Sequence, residues 1–343
     1  MYSEVLANVV RGATVESVHT GHVAIVDGDG GTVFECGSPS TVTFFRSASK
    51  PFQAIPCITS GAADAFGFTD EEIAMACASH SGEPIHVEHA HRMLEKAGFS
   101  EPDLHCGVHL PFNEDFSREM VRSGEEPTQL HNNCSGKHAA MLALAKRIDA
   151  DPGKYELLDS PVQRRAMRCV ADFAEVPMEK VKTAIDGCAA PNFAVSVTAM
   201  ARSFANLVRP VKLHATVQTA AARVVSAMMG YPELIGGTGR LDTMLMQAGA
   251  ARFVSKVGAD GVWCCGVMPC TRYPTGLGIA IKVADGDDTR GRPVIAISIL
   301  KQLGLISSES FADLSPMLIK NRRGQTVGRV ESDLRLGPQY LPF

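Results

Sequence analysis

Ser47 stands three residues before Lys50 in the stretch Phe44-Phe45-Arg46-Ser47-Ala48-Ser49-Lys50-Pro51-Phe52. On a helix-like turn that spacing puts both side chains on one face. A serine hydroxyl becomes a nucleophile when a base takes its proton, and a neutral amine can be that base. A solvated lysine, with a pKa near ~10.4, is protonated and cannot serve. Burial or a neighbouring cation lowers that value, and Arg46 with the flanking Phe44, Phe45 and Phe52 supplies both influences. Pro51 lacks an amide N–H and disfavours helical geometry at the preceding residue. The pair is therefore expected in a turn feeding a helix, with Ser47 at the helix's N-terminal end. Ser-x-x-Lys also arises by chance about once in a chain of this length. Ser298 with Lys301 is a second match, inside an apolar run.

Two later segments change the weight of the first. Ser79-His80-Ser81 follows a helical pattern, and Lys256-Val257-Gly258 precedes the strand that carries Trp263. Taken singly, the one is a turn whose hydroxyls cap the backbone and the other a lysine at a loop edge. Taken in order they give S-x-x-K, a serine loop and K-x-G, the sequence in which penicillin-recognising enzymes place S-x-x-K, S-x-N and K-T-G. Here serine replaces the asparagine and valine the threonine. A second pair, Ser79 with Lys256, would put two lysines in one pocket, where each cation disfavours protonation of the other.

A third constellation joins Leu130-His131-Asn132-Asn133-Cys134-Ser135-Gly136-Lys137-His138 to Asp186-Gly187-Cys188. Cys134 precedes a helical pattern, and the positive end of a helix favours the thiolate. Thiolates, a carboxylate and histidine form an N/O/S set that suits zinc. The separation of the two cysteines matches no recognised zinc spacing, so the plain reading of the residues is two buried thiols.

These residues need a scaffold. Val9 to Cys36 alternates and is β-branched around Asp27-Gly28-Asp29-Gly30-Gly31, which predicts a hairpin. Phe52 to Ser60 reads as a buried helix ending at Gly61, and Thr69 with Glu72 forms a capping pattern for the next. Helical patterns dominate from Asn133 to about Ala250. Strands return over Gly261–Val267 and Gly278–Val283, and Ile295 to Leu303 reads as a helix over the sheet. The expectation is an α+β fold, its sheet built from both termini with a helical middle. The expected domains are a discontinuous sheet domain, residues 1–60 and 250–343, and a mainly helical domain, residues 61–249.

With 343 residues, 45% hydrophobic and 20% charged, the composition is that of a globular protein. A net charge of -4 without a basic cluster leaves no nucleic-acid footprint. No apolar stretch approaches the ~20 residues of a membrane span, and Met1 to Arg11 lacks signal-peptide character. A cytoplasmic protein is expected, in which the ten cysteines are mostly buried thiols rather than disulfides.

The segments Arg46-Ser47-Ala48-Ser49-Lys50-Pro51, Ser79-His80-Ser81-Gly82-Glu83, His131 to His138 and Asp186-Gly187-Cys188 resemble the Rhizobium-type L-asparaginases, the "asparaginase II" class. The likeness runs in order through most of the chain and includes Gly236-Gly237-Thr238-Gly239-Arg240. It implies a fold similar to serine β-lactamases and glutaminases, a homodimer, and hydrolysis of L-asparagine to L-aspartate and ammonia. It also implies catalytic roles for Ser47 with Lys50 and for Ser79 with Lys256, and Zn2+ ligation by Cys134, Lys137 and Cys188 with Asp186 close by. Lys137 as a zinc ligand must be neutral. Asn133 and His138 are expected at the substrate site, and Arg46 is expected to hold the α-carboxylate or to pair with an acid. A glutaminase or a penicillin-recognising hydrolase is the alternative on the same dyads. A zinc-holding or redox-sensing module is the non-enzymatic one.

Overall fold

Valine- and isoleucine-rich alternation at both ends of the chain builds one sheet, and the alanine- and leucine-rich middle builds helices. The structure, a computed structural model, describes residues 2–337. In chain order it runs β1 (Glu4–Arg11), β2 (Thr14–Asp27), β3 (Thr32–Cys36), β4 (Val42–Phe44), α1 (Lys50–Thr59), α2 (Ala62–Ala65), α3 (Asp70–Ala76), α4 (Pro84–Ala97), α5 (Glu114–Ser123), α6 (Ser135–Arg147) and α7 (Pro161–Ala174). There follow β5 (Lys182–Ile185), β6 (Pro191–Ser196), α8 (Val197–Val208), α9 (Ala215–Gly230), α10 (Pro232–Ile235) and α11 (Leu241–Gly249). The last elements are β7 (Phe253–Val257), β8 (Val262–Val267), β9 (Leu277–Val283), α12 (Gly291–Gln302), β10 (Met317–Lys320) and β11 (Thr326–Ser332).

The chain divides into two units. The sheet unit takes the residues up to Ala48, Val195–Ala205 and the chain from Ala248 onward; the helical unit takes Ser49–Ala194 and Asn206–Gln247. The sheet unit thus stops at Ala48 instead of residue 60, because α1 packs among α6, α7 and α9. Residue 343, the outer limit expected for the sheet domain, lies outside the described residues.

In the sheet unit the order is β10-β11-β1-β2-β9-β8-β7, antiparallel throughout, with β3 beside the second half of β2. The Asp27 carboxylate closes the expected β2–β3 hairpin by accepting from the N–H of Asp29 and of Gly31, at 3.0 and 2.8 Å. Strands β7 and β8 are buried along their whole length. Gly278 of β9 lets the stretch Ala201–Ala205 lie on the sheet, since a Cβ there would stand 1.8 Å from the Ala201 carbonyl oxygen. Helix α12 packs against β11, β1, β9 and β8. It carries the chance Ser298–Lys301 match, whose side chains are engaged separately: Ser298 accepts from Gln302, and Lys301 donates to the Ser315 carbonyl.

In the helical unit α6 is buried from Ser135 to Ala145, and α1, α2, α3, α4 and α7 pack around it. Among the described residues no helix is long and apolar enough to cross a membrane. Nine cysteines are buried, Cys270 is exposed, and all ten are free thiols.

Candidate active site

Helix α1 begins at Lys50 with Pro51 in its first turn, where a missing N–H breaks no helical hydrogen bond. Lys50 is only 1% exposed. Its Nζ meets three acceptors: the Ala78 carbonyl at 2.5 Å, Ser79 Oγ at 2.9 Å and the Asn133 carbonyl at 3.1 Å. Carbonyls only accept, so they take two N–H bonds whichever protonation state the nitrogen has. The third direction belongs to Ser79. An ammonium donates along it; a neutral amine turns its lone pair to the hydroxyl and accepts. The one proton that can change hands lies between Lys50 and Ser79.

The capping box of Thr69 and Glu72 starts α3, which ends just before Ser79. Ser79 N–H donates to the Ile235 carbonyl at 2.8 Å, fixing the loop backbone. His80, fully buried, accepts the Gly82 N–H at Nδ1 (3.1 Å). Its proton is then on Nε2, which donates to Ser135 Oγ at 2.9 Å, and Ser135 Oγ donates to the Leu130 carbonyl at 3.0 Å. Burial, and then the neighbouring His86, holds the His80 pKa well below the usual histidine value. The imidazole is a neutral strut, stacked on the His86 ring at 4.8 Å.

On the other side of Lys50, two residues that the motif pattern does not single out position Asn133. The peptide linking Asn133 to Cys134 gives its carbonyl to Lys50 and its N–H to Asn132 Oδ1 at 2.9 Å. The Asn132 amide in turn donates to the Cys106 and Gly107 carbonyls. The Asn133 N–H donates to His109 Nε2 at 3.0 Å. Asn132 lies inside the His131–Cys134 block, but only the tertiary contact tells which of two adjacent asparagines holds the peptide.

The cysteine cluster is brought together. Cys134 caps α6, Lys137 sits in its first turn, and Lys137 Nζ is 3.0 Å from Cys188 Sγ. A hydrogen bond from Cys134, and then the Lys137 charge, holds the Cys188 thiol far below its usual range, so Cys188 is the thiolate; sharing with Cys188 pushes Cys134 up. Burial pulls Lys137 down, but the Cys188 and Cys134 charges outweigh it and push its pKa up. The Tyr155 hydroxyl accepts the His105 N–H at 2.8 Å and lies 2.7 Å from His138 Nδ1. His138 Nε2 is buried without a hydrogen-bond partner and feels the Cys188 charge. Asp186 turns its Oδ1 to the Gly187 N–H. Among the described residues no three His, Cys, Asp or Glu side chains gather as a metal set. Two sulfurs, an amine and an orphaned imidazole nitrogen are nonetheless soft donors that fit Zn2+, provided Lys137 gives up its proton on binding.

Ser47 and Lys256 belong to the sheet unit. Ser47 lies half-buried in the expected turn, a 3-10 turn over Arg46–Ser49 directly before α1, although Lys50 is helical despite the following proline. Arg46 adopts φ 51° and ion-pairs with Asp260, so of its two expected roles the structure displays the pairing with an acid. Lys256 is fully buried on β7 opposite Cys264, and its Nζ donates to the Val257 carbonyl at 3.3 Å. Two residues on, Gly258 passes so close to the Phe45 carbonyl that a Cβ would stand 2.3 Å from it. The K-x-G strand end and the serine turn are therefore neighbours. The hydroxyl bonded to Lys50 is that of Ser79, which the sequence pattern pairs with Lys256.

The family model described as L-asparaginase II matches residues 7–332. No curated protein matches the chain. Among solved structures, a probable glutaminase from Bacillus subtilis complexed with 6-diazo-5-oxo-L-norleucine aligns with 13% identity and a TM-score of 0.41, covering 84% of this chain and 85% of that one. The glutamate form of Mglu aligns with 14% identity and a TM-score of 0.43, covering 85% of this chain and 63% of that one.

Proposed function

We propose, for a chain that belongs to the L-asparaginase II family of amidohydrolases, that it hydrolyses L-asparagine to L-aspartate and ammonia through an acyl-serine intermediate. The observation that carries this reading is the buried Lys50 nitrogen, which two carbonyls orient so that its exchangeable proton lies on Ser79. In the reaction Ser47 attacks the side-chain amide carbon, and its proton passes by way of the Ser79 hydroxyl to neutral Lys50. That proton then leaves with the departing ammonia, and Ser79 and Lys256 relay protons between the steps. Water attacks the resulting ester, the relay takes its proton and hands it to the departing Ser47 Oγ, and aspartate is released. Asn133 and His138 stand beside the base and the thiolate cluster and border the substrate site.

Cys134, Lys137 and Cys188 are the residues that would hold Zn2+. A bound cation there would polarise a substrate group and shape the pocket. The proposed assembly is a homodimer in the cytoplasm.

Ammonia release from L-asparagine and L-glutamine tests the reading. Asparagine is the expected substrate, and Ser47→Ala should abolish its turnover while the melting temperature is kept. Wild-type turnover in Ser47→Ala, or glutamine preferred over asparagine, overturns it. A second reading makes Ser79 the acylated residue; it is favoured by the Lys50–Ser79 hydrogen bond, and peptide mapping of the trapped ester decides between the two serines.

A further inference from the structure

The turn Gly236-Gly237-Thr238-Gly239-Arg240 has no part in the chemistry above, yet it is stitched to the serine loop. Ser81 Oγ donates to the Gly236 carbonyl at 2.9 Å. The Glu83 carboxylate accepts from Thr238 N–H at 2.8 Å, from Thr238 Oγ1 at 3.0 Å and from the Asn113 amide at 3.0 Å. Gly237 has φ +105°, and a Cβ there would stand 2.8 Å from Glu83 Oε1 and 2.9 Å from Ser81 Oγ. Glycine is needed on both counts.

This turn ends in Arg240, a half-buried residue whose guanidinium lies over the Phe112 ring, 5.6 Å from its centroid. Among the described residues the Arg240 side chain makes no hydrogen bond and no ion pair. The nearby acid, Glu83, is already occupied by three donors. Stacking uses the face of a guanidinium and leaves its N–H edges unfilled, and that fork matches a carboxylate. A closed ring of contacts joins it to the reacting groups. Phe112 stacks on His109 at 4.6 Å; His109 holds the Asn133 N–H; the Asn133 carbonyl takes Lys50; Lys50 meets Ser79; and Ser79 N–H returns to Ile235, at the head of the turn.

We infer that Arg240 receives the α-carboxylate of the substrate, so that the site selects α-amino acids bearing a side-chain amide over amides that lack the carboxylate. Arg46, the other candidate, already has its charge engaged by Asp260. The inference rests on the amidohydrolase reading and deepens it by naming what fixes the substrate class.

Parent enzyme, Arg240→Leu, Arg240→Lys and Arg46→Leu are compared on L-asparagine and on 3-aminopropanamide, which keeps the amide and the amine but not the carboxylate. Arg240→Leu should raise KM for asparagine roughly 10- to 100-fold, the loss of a charged hydrogen-bonding partner. Its kcat should stay within a few-fold, its kcat/KM for 3-aminopropanamide should be unchanged, and Arg240→Lys should recover part of the loss. Both amides falling together, an unchanged asparagine KM, or a loss that follows Arg46→Leu instead overturns the inference. Calorimetric binding of L-aspartate separates the two readings. A parent that binds aspartate but releases no ammonia, with binding lost in Arg240→Leu, keeps the carboxylate site and overturns the hydrolysis. Aspartate binding that is absent from the parent or survives in Arg240→Leu overturns the site.

Discussion

Lys50 has a base's position because of what its three neighbours are. Two backbone carbonyls cannot give it a proton, and one hydroxyl can exchange one. Lys50→Met should therefore lower kcat by about 10²–10⁴-fold, the usual contribution of a general base, with a small effect on melting temperature, as steady-state ammonia release and thermal denaturation will show. A lysine acting as base must shed its proton, so kcat/KM should climb from acidic through neutral into alkaline pH; a flat profile would remove lysine from that role. The blocks that carry Ser47, Lys50 and Ser79 were legible from their spacing, and Cys134, Lys137 and Cys188 only from the family resemblance. Their partners were not. Ser79 is 29 residues from Lys50, and nothing local says that its hydroxyl meets Lys50. Asn132, His109 and Arg240 act through contacts that only the fold makes.

At the scale of the elements, local signals and structure agree where the signal is stereochemical. The Asp-Gly hairpin and the Thr69–Glu72 capping box each constrain the backbone within a few residues. Close approach between elements is invisible until they meet. Gly278→Ala should be severely destabilising, because its methyl would enter the Ala201 carbonyl and the Ala205 nitrogen; a melting temperature equal to the parent's would contradict that packing. Thr69→Ala should cost about 1 kcal/mol in denaturant unfolding, the usual value of a lost N-cap. At the start of α6, zinc supplied to metal-free protein should bind near one per chain, more weakly as pH falls because the ligands must be deprotonated. Cys188→Ser should abolish it. Less than about a tenth of a zinc per chain by elemental analysis would return Cys134 and Cys188 to a plain thiol–thiolate pair.

The acid sensitivity of the whole molecule draws on groups of both units, with His22 and Asp287 contributing from the sheet unit. His80 and His86 are buried neutral, with pKa values held below the usual histidine value of 6.5, burial being the first cause for both. Above pH 6.5 neither the folded nor the unfolded chain protonates them, and they add nothing to the pH dependence. As pH falls below 6.5 the unfolded chain binds protons that the folded chain refuses, so stability declines until the folded-state values are reached. A second loss follows below the usual glutamate value of 4.5. Burial raises the Glu72 pKa, but its hydrogen bonds to Lys96, the Thr69 N–H and Arg92 outweigh burial and lower it. Equilibrium unfolding between pH 8 and pH 4 should show the first decline starting near 6.5; stability constant down to pH 5 would contradict the buried neutral imidazoles. At this scale the α+β class and the origin of the sheet in both chain ends were legible from periodicity. The inclusion of Val195–Ala205 in the sheet unit was not, since that stretch reads as part of the helical middle.

The central claim is a serine ester formed with the help of a buried lysine. Its most direct measurement is the intact mass of the enzyme quenched in acid during turnover of L-asparagine, followed by peptide mapping. The account predicts a fraction of chains heavier by one aspartyl group, with the ester on the peptide carrying Ser47, and no adduct in Ser47→Ala. Steady turnover with no adduct on either Ser47 or Ser79 would contradict it.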